Sequence, residues 1–219
     1  MSGLSQNRVL VATKNEGKAK EFAHALAKLD KTTESLNDYP AFPDIPEDGD
    51  TFSANARIKA KAAGDAFGVP VLADDSGLRV EALNGEPGVY SARYAGEKAA
   101  DEANNAKLLR ELAKLALPDA AEPLADGTRL LSAAQFVCAL ALYDPSTGSF
   151  VEAEGTVDGF IADRPHGDGG FGYDPLFWLP QLDRGMAELS KEEKQQIGHR
   201  GHALAALIAK LEQDGGLVK

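Results

Sequence analysis

The first residues able to do chemistry are Thr13, Asn15 and Lys18 of "TKNEGK", a polar turn between an apolar run and a helical pattern. At a strand-to-helix turn the free backbone N–H groups and the helix dipole favour an anion, and Lys18 adds charge, so the turn suits a phosphate. The single glycine, and the lack of a Ser or Thr after Lys18, exclude the P-loop pattern; a plain structural turn is the alternative. Further on, "ADDSG" (73 to 77) puts two carboxylates at the expected end of a strand, where a turn exposes them. Adjacent strand residues face opposite ways, so one of Asp74 and Asp75 is expected in a given site. Glu47, in an acidic loop, can join that aspartate around Mg2+, a hard ion that takes carboxylate oxygens and keeps several waters. An Asx-turn and a surface charge are the plain alternatives.

Two later motifs have chemical potential. "GGFGYDP" (169 to 175) combines flexible backbone with Phe171 and Tyr173, whose faces can stack on a base; a glycine turn with core aromatics is the other reading. "GHRGH" (198 to 202) carries two histidines three apart, with Lys194 before it, but lacks the further ligands of a zinc site. The one cysteine, Cys138, lies in the apolar run "VCALALY" and reads as a buried structural thiol in a reducing compartment.

These residues need elements to position them. Arg8 to Thr13 reads as a buried strand, followed by a helix with Phe22, Ala25, Leu26 and Leu29 on its inner face. Residues 37 to 50 form a proline-rich acidic loop, and Asp50 can cap a helix from Thr51 to Phe67 that places Phe52, Asn55 and Lys59 along one face. Strands are expected at 69 to 73 and 78 to 83, with a turn at Asn84-Gly85. A helix follows over 101 to 117, with Leu108, Leu109, Leu112 and Leu115 inward and Pro118 as its stop. Residues 129 to 143 and 149 to 157 read as a hairpin and a candidate second lobe. A capping box of Ser190 and Glu193 starts a helix near Lys191, and a last helix over 202 to 212 buries Leu204, Leu207, Ile208 and Leu211. Interleaved helices and a mixed sheet indicate an α/β fold.

Composition narrows the function. Lys and Arg number 23 against 34 Asp and Glu, a formal charge of −11 that opposes polynucleotide binding. The apolar stretches are far shorter than the ~20 residues of a membrane span, and the N-terminus has no signal-peptide pattern. A cytoplasmic protein with a small anionic ligand, bound neither to nucleic acid nor to membrane, is the expectation.

Taken in order, "TKNEGK", "PEDGDTFSANARIKAKAA", "ADDSGLRVEALNGEPGVYSARYAG", "GGFGYDP" and "EEKQQIGHRGHAL" resemble the inosine triphosphatase family, the RdgB-type non-canonical purine NTP pyrophosphatases. The resemblance runs from about Val9 to Leu207. It implies a single domain over residues 1 to 219, with two lobes around a long curved mixed sheet and an active-site cleft between them. It also implies a homodimer and Mg2+-dependent cleavage of ITP, dITP or XTP to the monophosphate and pyrophosphate. By the same resemblance Thr13, Lys14, Asn15, Glu16, Gly17 and Lys18 contact substrate, and Asn55 and Lys59 point toward the triphosphate. Asp75 is the catalytic acid and a metal ligand, Glu47 a second metal-site carboxylate, and Ser76 a substrate contact. Phe171, Gly172, Tyr173, Asp174, Lys194, His199 and Arg200 match the base and ribose end. The rival classes are an enzyme of similar build acting on pyrimidine or methylated nucleotides, a nucleotide sensor without turnover, and a nucleic-acid-binding module.

Overall fold

The opening apolar run becomes β1 (Arg8–Val11), and α1 (Glu16–Ala27) follows with Phe22, Ala25 and Leu26 buried. This is a computed structural model that describes residues 8–116 and 118–213. β2 (Thr32–Ser35), which the sequence pattern does not reveal, pairs parallel to β1, and α2 (Phe52–Phe67) then leads to β3 (Val71–Val80). β3 also pairs parallel to β1, with Val11 opposite Leu72, so α1 and α2 are the crossovers that parallel strands require. Beyond α3 (Asp101–Leu115), the long strands β4 (Leu130–Asp144) and β5 (Ser149–Ala162) are joined by a turn closed by the Gly148 N–H on the Asp144 carbonyl at 2.8 Å. The short β6 (Phe177–Leu179) and β7 (Arg184–Gly185) add antiparallel pairs. α4 (Lys191–Ile197) and α5 (His199–Gln213) end the described chain. The mixed sheet has the order β2-β1-β3-β4-β5-β6-β7, an α/β architecture as expected.

The chain divides into two compact units: residues 1–75, 138–155 and 195–219 in the first, and 76–137 and 156–194 in the second. In the first unit Val9 and Val11 of β1, Leu72 of β3, Phe22 and Leu26 of α1, and Leu204, Leu207 and Leu211 of α5 share one apolar core with Cys138 and Leu140. In the second, Leu130, Ala162 and Trp178 form a smaller cluster. The unit boundary falls inside β3, β4 and β5, so the hairpin does not belong to one lobe: its turn end lies in the first unit.

Several local expectations need correction. The strands expected at 69 to 73 and 78 to 83 are one continuous strand, so "ADDSG" is not a turn and Asp74 is fully buried. What replaces a turn is close packing: a Cβ on Gly77 would lie 2.3 Å from the Ser91 hydroxyl and 2.7 Å from the Gly88 carbonyl. Thr51, not Asp50, caps α2, its side chain accepting the Ala54 N–H at 3.1 Å. Leu29 lies past the end of α1 and is exposed, and Leu115 is exposed while Leu108 and Leu112 are buried. The expected helix end at residue 117 lies outside the described residues; α3 stops at Leu115, where Ala116 turns left-handed at φ 48°. Ile208 is half-buried against the core, and α5 begins at His199, so "GHRGH" lies mostly inside its first turn.

Candidate active site

In the first unit the turn before α1 is tightly organised. Asn15 is the N-cap, its Oδ1 accepting the Lys18 N–H at 3.0 Å while its own N–H donates to Thr13 Oγ1 at 3.2 Å. Thr13 is buried, and Glu16 and Gly17 open the helix. The Lys14 ammonium is engaged by the acidic loop, donating to Asp44 at 2.7 Å and to the Phe42 carbonyl at 2.8 Å.

β3 then sends its two aspartates to different partners. Asp74 meets the Lys18 ammonium at 3.0 Å and the Arg200 Nε at 3.7 Å, and Arg200 also donates to Glu21 at 2.9 Å. Burial opposes the charge of Asp74, yet Lys18, Arg200 and Lys59 hold its carboxyl well below the ordinary range. Asp75 is gripped from α2: Asn55 Nδ2 donates to Oδ2 at 3.0 Å, and Lys59 Nζ lies 3.4 Å from Oδ1. The spacing of four along α2 makes this possible, since it stacks Asn55 and Lys59 on one face. The buried Asn55 also accepts the Gly49 N–H at 2.8 Å, which fixes its amide and draws in the loop carrying Glu47. Lys59 closes the cluster with a 2.8 Å bond to Glu47 Oε2.

Asp75 and Glu47 therefore share one ammonium and titrate as a pair. Burial, reinforced by the charge of Glu47, pushes Asp75 above the ordinary aspartate range despite Lys59, Lys18 and Asn55. Burial acts on Glu47 as well, but Lys59, with Lys18 behind it, holds it below the ordinary glutamate range. Lys59 is disfavoured by burial and more than compensated by Asp75, Asp74 and Glu47, so its ammonium is held above the ordinary range. Cys138 is pushed up by burial and remains an inert thiol.

The second unit holds Ser76, half-buried beside the boundary, and the glycine loop. Asp174 Oδ2 accepts the Phe171 N–H at 3.2 Å and the Lys194 ammonium at 2.8 Å. Gly170, in the left-handed region at φ 80°, suits this position, because a Cβ would come 2.1 Å from Asp174 Oδ2 and 2.4 Å from Lys194 Nζ and would push that ion pair apart. Tyr173 is buried with its hydroxyl donating to the Ser91 carbonyl at 2.9 Å, whereas Phe171 is half-buried and the more exposed of the two aromatics. Gly172 sits between them at φ 61°. His199, buried, and Arg200 belong to the first unit with Lys18 and Asp74.

The model of the Ham1 family matches residues 9–210. This chain belongs to the Ham1 family. Relatives named dITP/XTP pyrophosphatase include one from Geobacillus kaustophilus, 49% identical over 205 residues and 94% of each chain, and one from Geobacter sulfurreducens, 50% identical over 200 residues, 91% of this chain and 94% of its own. Among solved structures, the Ham1 protein of Staphylococcus aureus superposes with a TM-score of 0.76 at 42% identity, covering 94% of this chain and 99% of that one. A HAM1 protein from Coxiella burnetii gives 0.79 at 38% identity, covering 94% and 98%. In this Ham1 chain, the sequence pattern offers Asp74 only as the alternative to Asp75 and gives no role to Glu21, Gly49 or Gly170. Asp74 carries a usable signal: a strand that turns Asp75 one way turns its neighbour the other, and a buried carboxylate needs a cation there too.

Proposed function

We propose that this Ham1 chain is a nucleoside triphosphate pyrophosphatase that cuts ITP, dITP and XTP between the α and β phosphates and so clears deaminated purines from the nucleotide pool. The observation that carries this reading is the convergence of Asn55, Lys59 and Glu47 on Asp75, a buried carboxylate whose proton affinity is raised toward that of a working base. Lys59 and Lys18 supply positive charge for phosphoryl oxygens, and the N-terminus of α1 supplies N–H groups. Asp75 accepts the proton of a water that attacks the α phosphorus, the bond from that phosphorus to the bridging oxygen breaks, and pyrophosphate leaves with the electron pair. No covalent intermediate is needed.

Glu47 and Asp75 fit Mg2+, since two carboxylates brought together on one ammonium are hard oxygen donors. Among the described residues there is no group of three or more His, Cys, Asp or Glu suited to a metal. Such a pair is the donor set of an ion that shares phosphate and water oxygens instead. When bound, Mg2+ neutralises phosphoryl charge and lowers the pKa of the attacking water.

Phe171, Gly172, Tyr173, Asp174, Lys194, His199 and Arg200 are assigned to base and ribose, with Ser76 as a further contact. A donor facing the 6-oxo oxygen of hypoxanthine or xanthine meets a donor in adenine instead, and mismatches of that kind give discrimination on the order of 10⁴-fold. A cytoplasmic homodimer that binds no nucleic acid completes the reading; no helix among the described residues is long and apolar enough to cross a membrane.

The test is pyrophosphate release, scored apart from orthophosphate, from ITP, dITP, XTP, GTP and ATP with and without Mg2+. Metal-dependent pyrophosphate from the first three is expected. Orthophosphate as product, or ATP cleaved as fast as ITP, would overturn the reading.

A further inference from the structure

The loop from Gly169 to Asp174 contains three glycines, and a segment of that composition left alone samples many backbone states. Ordering it only on binding would cost affinity, so a loop that recognises a ligand gains from being fixed beforehand. The bonds already described hold its flanks: Phe171 N–H and Lys194 on Asp174, and the Tyr173 hydroxyl on Ser91. The middle of the loop is held from elsewhere. Gly172 donates its N–H to Asp101 Oδ2 at 2.6 Å, and its carbonyl accepts from Asn105 Nδ2 at 3.0 Å.

Asp101 and Asn105 are four apart on α3 and so lie one above the other on one helical face. A single turn of helix thus grips both polar groups of one residue. The helix is itself a firm support. Leu108 and Leu112 are buried, and the buried Asn104 accepts the Ala95 N–H at 2.8 Å and donates to the Ala92 carbonyl at 3.3 Å. The left-handed conformation of Gly172, at φ 61°, turns the chain between Phe171 and Tyr173, so the orientation of this peptide sets where both neighbours point.

We propose that Asp101 and Asn105 are positioning residues that clamp the Gly172 peptide and so pre-set Phe171 and Asp174 for the purine and ribose of the substrate. This rests on the function proposed above. The clamp acts on residues assigned to the base and ribose and touches none of the groups assigned to the phosphates. Its loss is therefore expected to weaken recognition of the nucleoside while leaving the bond-breaking step alone.

Asp101→Ala and Asn105→Leu are each expected to raise KM for ITP about five-fold with kcat kept within about two-fold, the size of one lost hydrogen bond at each end. Asp101→Asn keeps an acceptor oxygen for the Gly172 N–H and is expected to return KM to within about two-fold of the unaltered protein. Competitive inhibition by inorganic tripolyphosphate, which has no base, should be the same in all four proteins. A merely structural role would weaken tripolyphosphate and ITP together. Unchanged KM in both disruptive variants, or parallel loss of tripolyphosphate binding, overturns the clamp. Failure of the unaltered protein to release pyrophosphate from ITP, dITP or XTP overturns the function itself and the clamp with it. Indifferent variants of an active enzyme remove the clamp alone.

Discussion

Asp74 is buried against Lys18 and Arg200, which hold its carboxyl low, while its neighbour Asp75 is pushed up by burial and by Glu47. A carboxyl that titrates lower in the folded protein stabilises it at every pH above the unfolded value and loses that contribution only as pH falls through the folded value. A carboxyl that titrates higher does the reverse: its ionisation costs stability, fully at neutral pH, and the cost fades in acid. Adjacent aspartates should therefore respond oppositely to the same change. At pH 7 in EDTA, Asp74→Asn is expected to lose about 3 kcal/mol or more, because it strips two half-buried cations of their shared, fully buried partner. Asp75→Asn is expected to be neutral or up to about 1 kcal/mol more stable, with pyrophosphate release down by about 10²-fold or more. Urea unfolding beside an activity assay checks both, and equal destabilisation would remove the division of labour between the two. Alternation along a strand makes it legible that the two face different surroundings, while the choice of Asp75 comes only from the family resemblance. The partners are not legible, since Lys18 and Arg200 meet Asp74 only through folding of distant segments.

At the scale of elements, α5 is set by a glycine in the strand beneath it. A Cβ on Gly155 of β5 would lie 2.2 Å from Ala203 N and 2.4 Å from the His199 carbonyl, so the obstacle is helix backbone. Gly64 of α2 would instead meet the ring of Tyr143 at 2.6 Å, a buried side chain whose hydroxyl is held by Asp65 at 2.8 Å. Gly155→Ala is expected to cost about 2–3 kcal/mol and to disturb the first turn of α5 with His199 and Arg200. Gly64→Ala should cost less than Gly155→Ala, because a gain in helix propensity of about 1 kcal/mol offsets part of the crowding and the obstacle is a side chain rather than backbone. Urea midpoints for the two variants decide this; equal losses would show that α5 moves freely on β5. Most elements are legible because apolar periodicity marks them: α1 from Phe22, Ala25 and Leu26, and α5 from Leu204, Leu207 and Leu211. β2 escapes because "TTES" lacks an apolar face and pairs through its backbone with β1. β3 is misread as two strands because Asp74, Asp75, Ser76 and Gly77 have the composition of a turn, and only their buried partners allow them to continue a strand.

For the whole molecule, the sequence states the charge plainly and hides the division into units, since the boundary cuts through strands where no linker composition marks it. The −11 charge and the local pairing of cations work in the same direction. Lys14 faces Asp44, Lys18 faces Asp74, Lys59 faces Glu47 and Asp75, and Arg200 faces Glu21 and Asp74. The long-range field therefore has no basic patch at these residues to draw in a polyphosphate, and the surplus of carboxylates repels it. Raising ionic strength from about 0.01 to 0.15 M shortens the Debye length from about 30 to about 8 Å and screens that repulsion. At saturating Mg2+, kcat/KM for ITP is accordingly expected to hold steady or rise, by less than about three-fold, across that range. A protein that gathers phosphates by exposed lysines would instead lose affinity by orders of magnitude. Stopped-time pyrophosphate assays at low ITP along a KCl series read the slope directly. A steep fall would mean that the ion pairs of Lys14, Lys18 and Arg200 open before the substrate arrives, and that free cations rather than a preassembled cluster capture it.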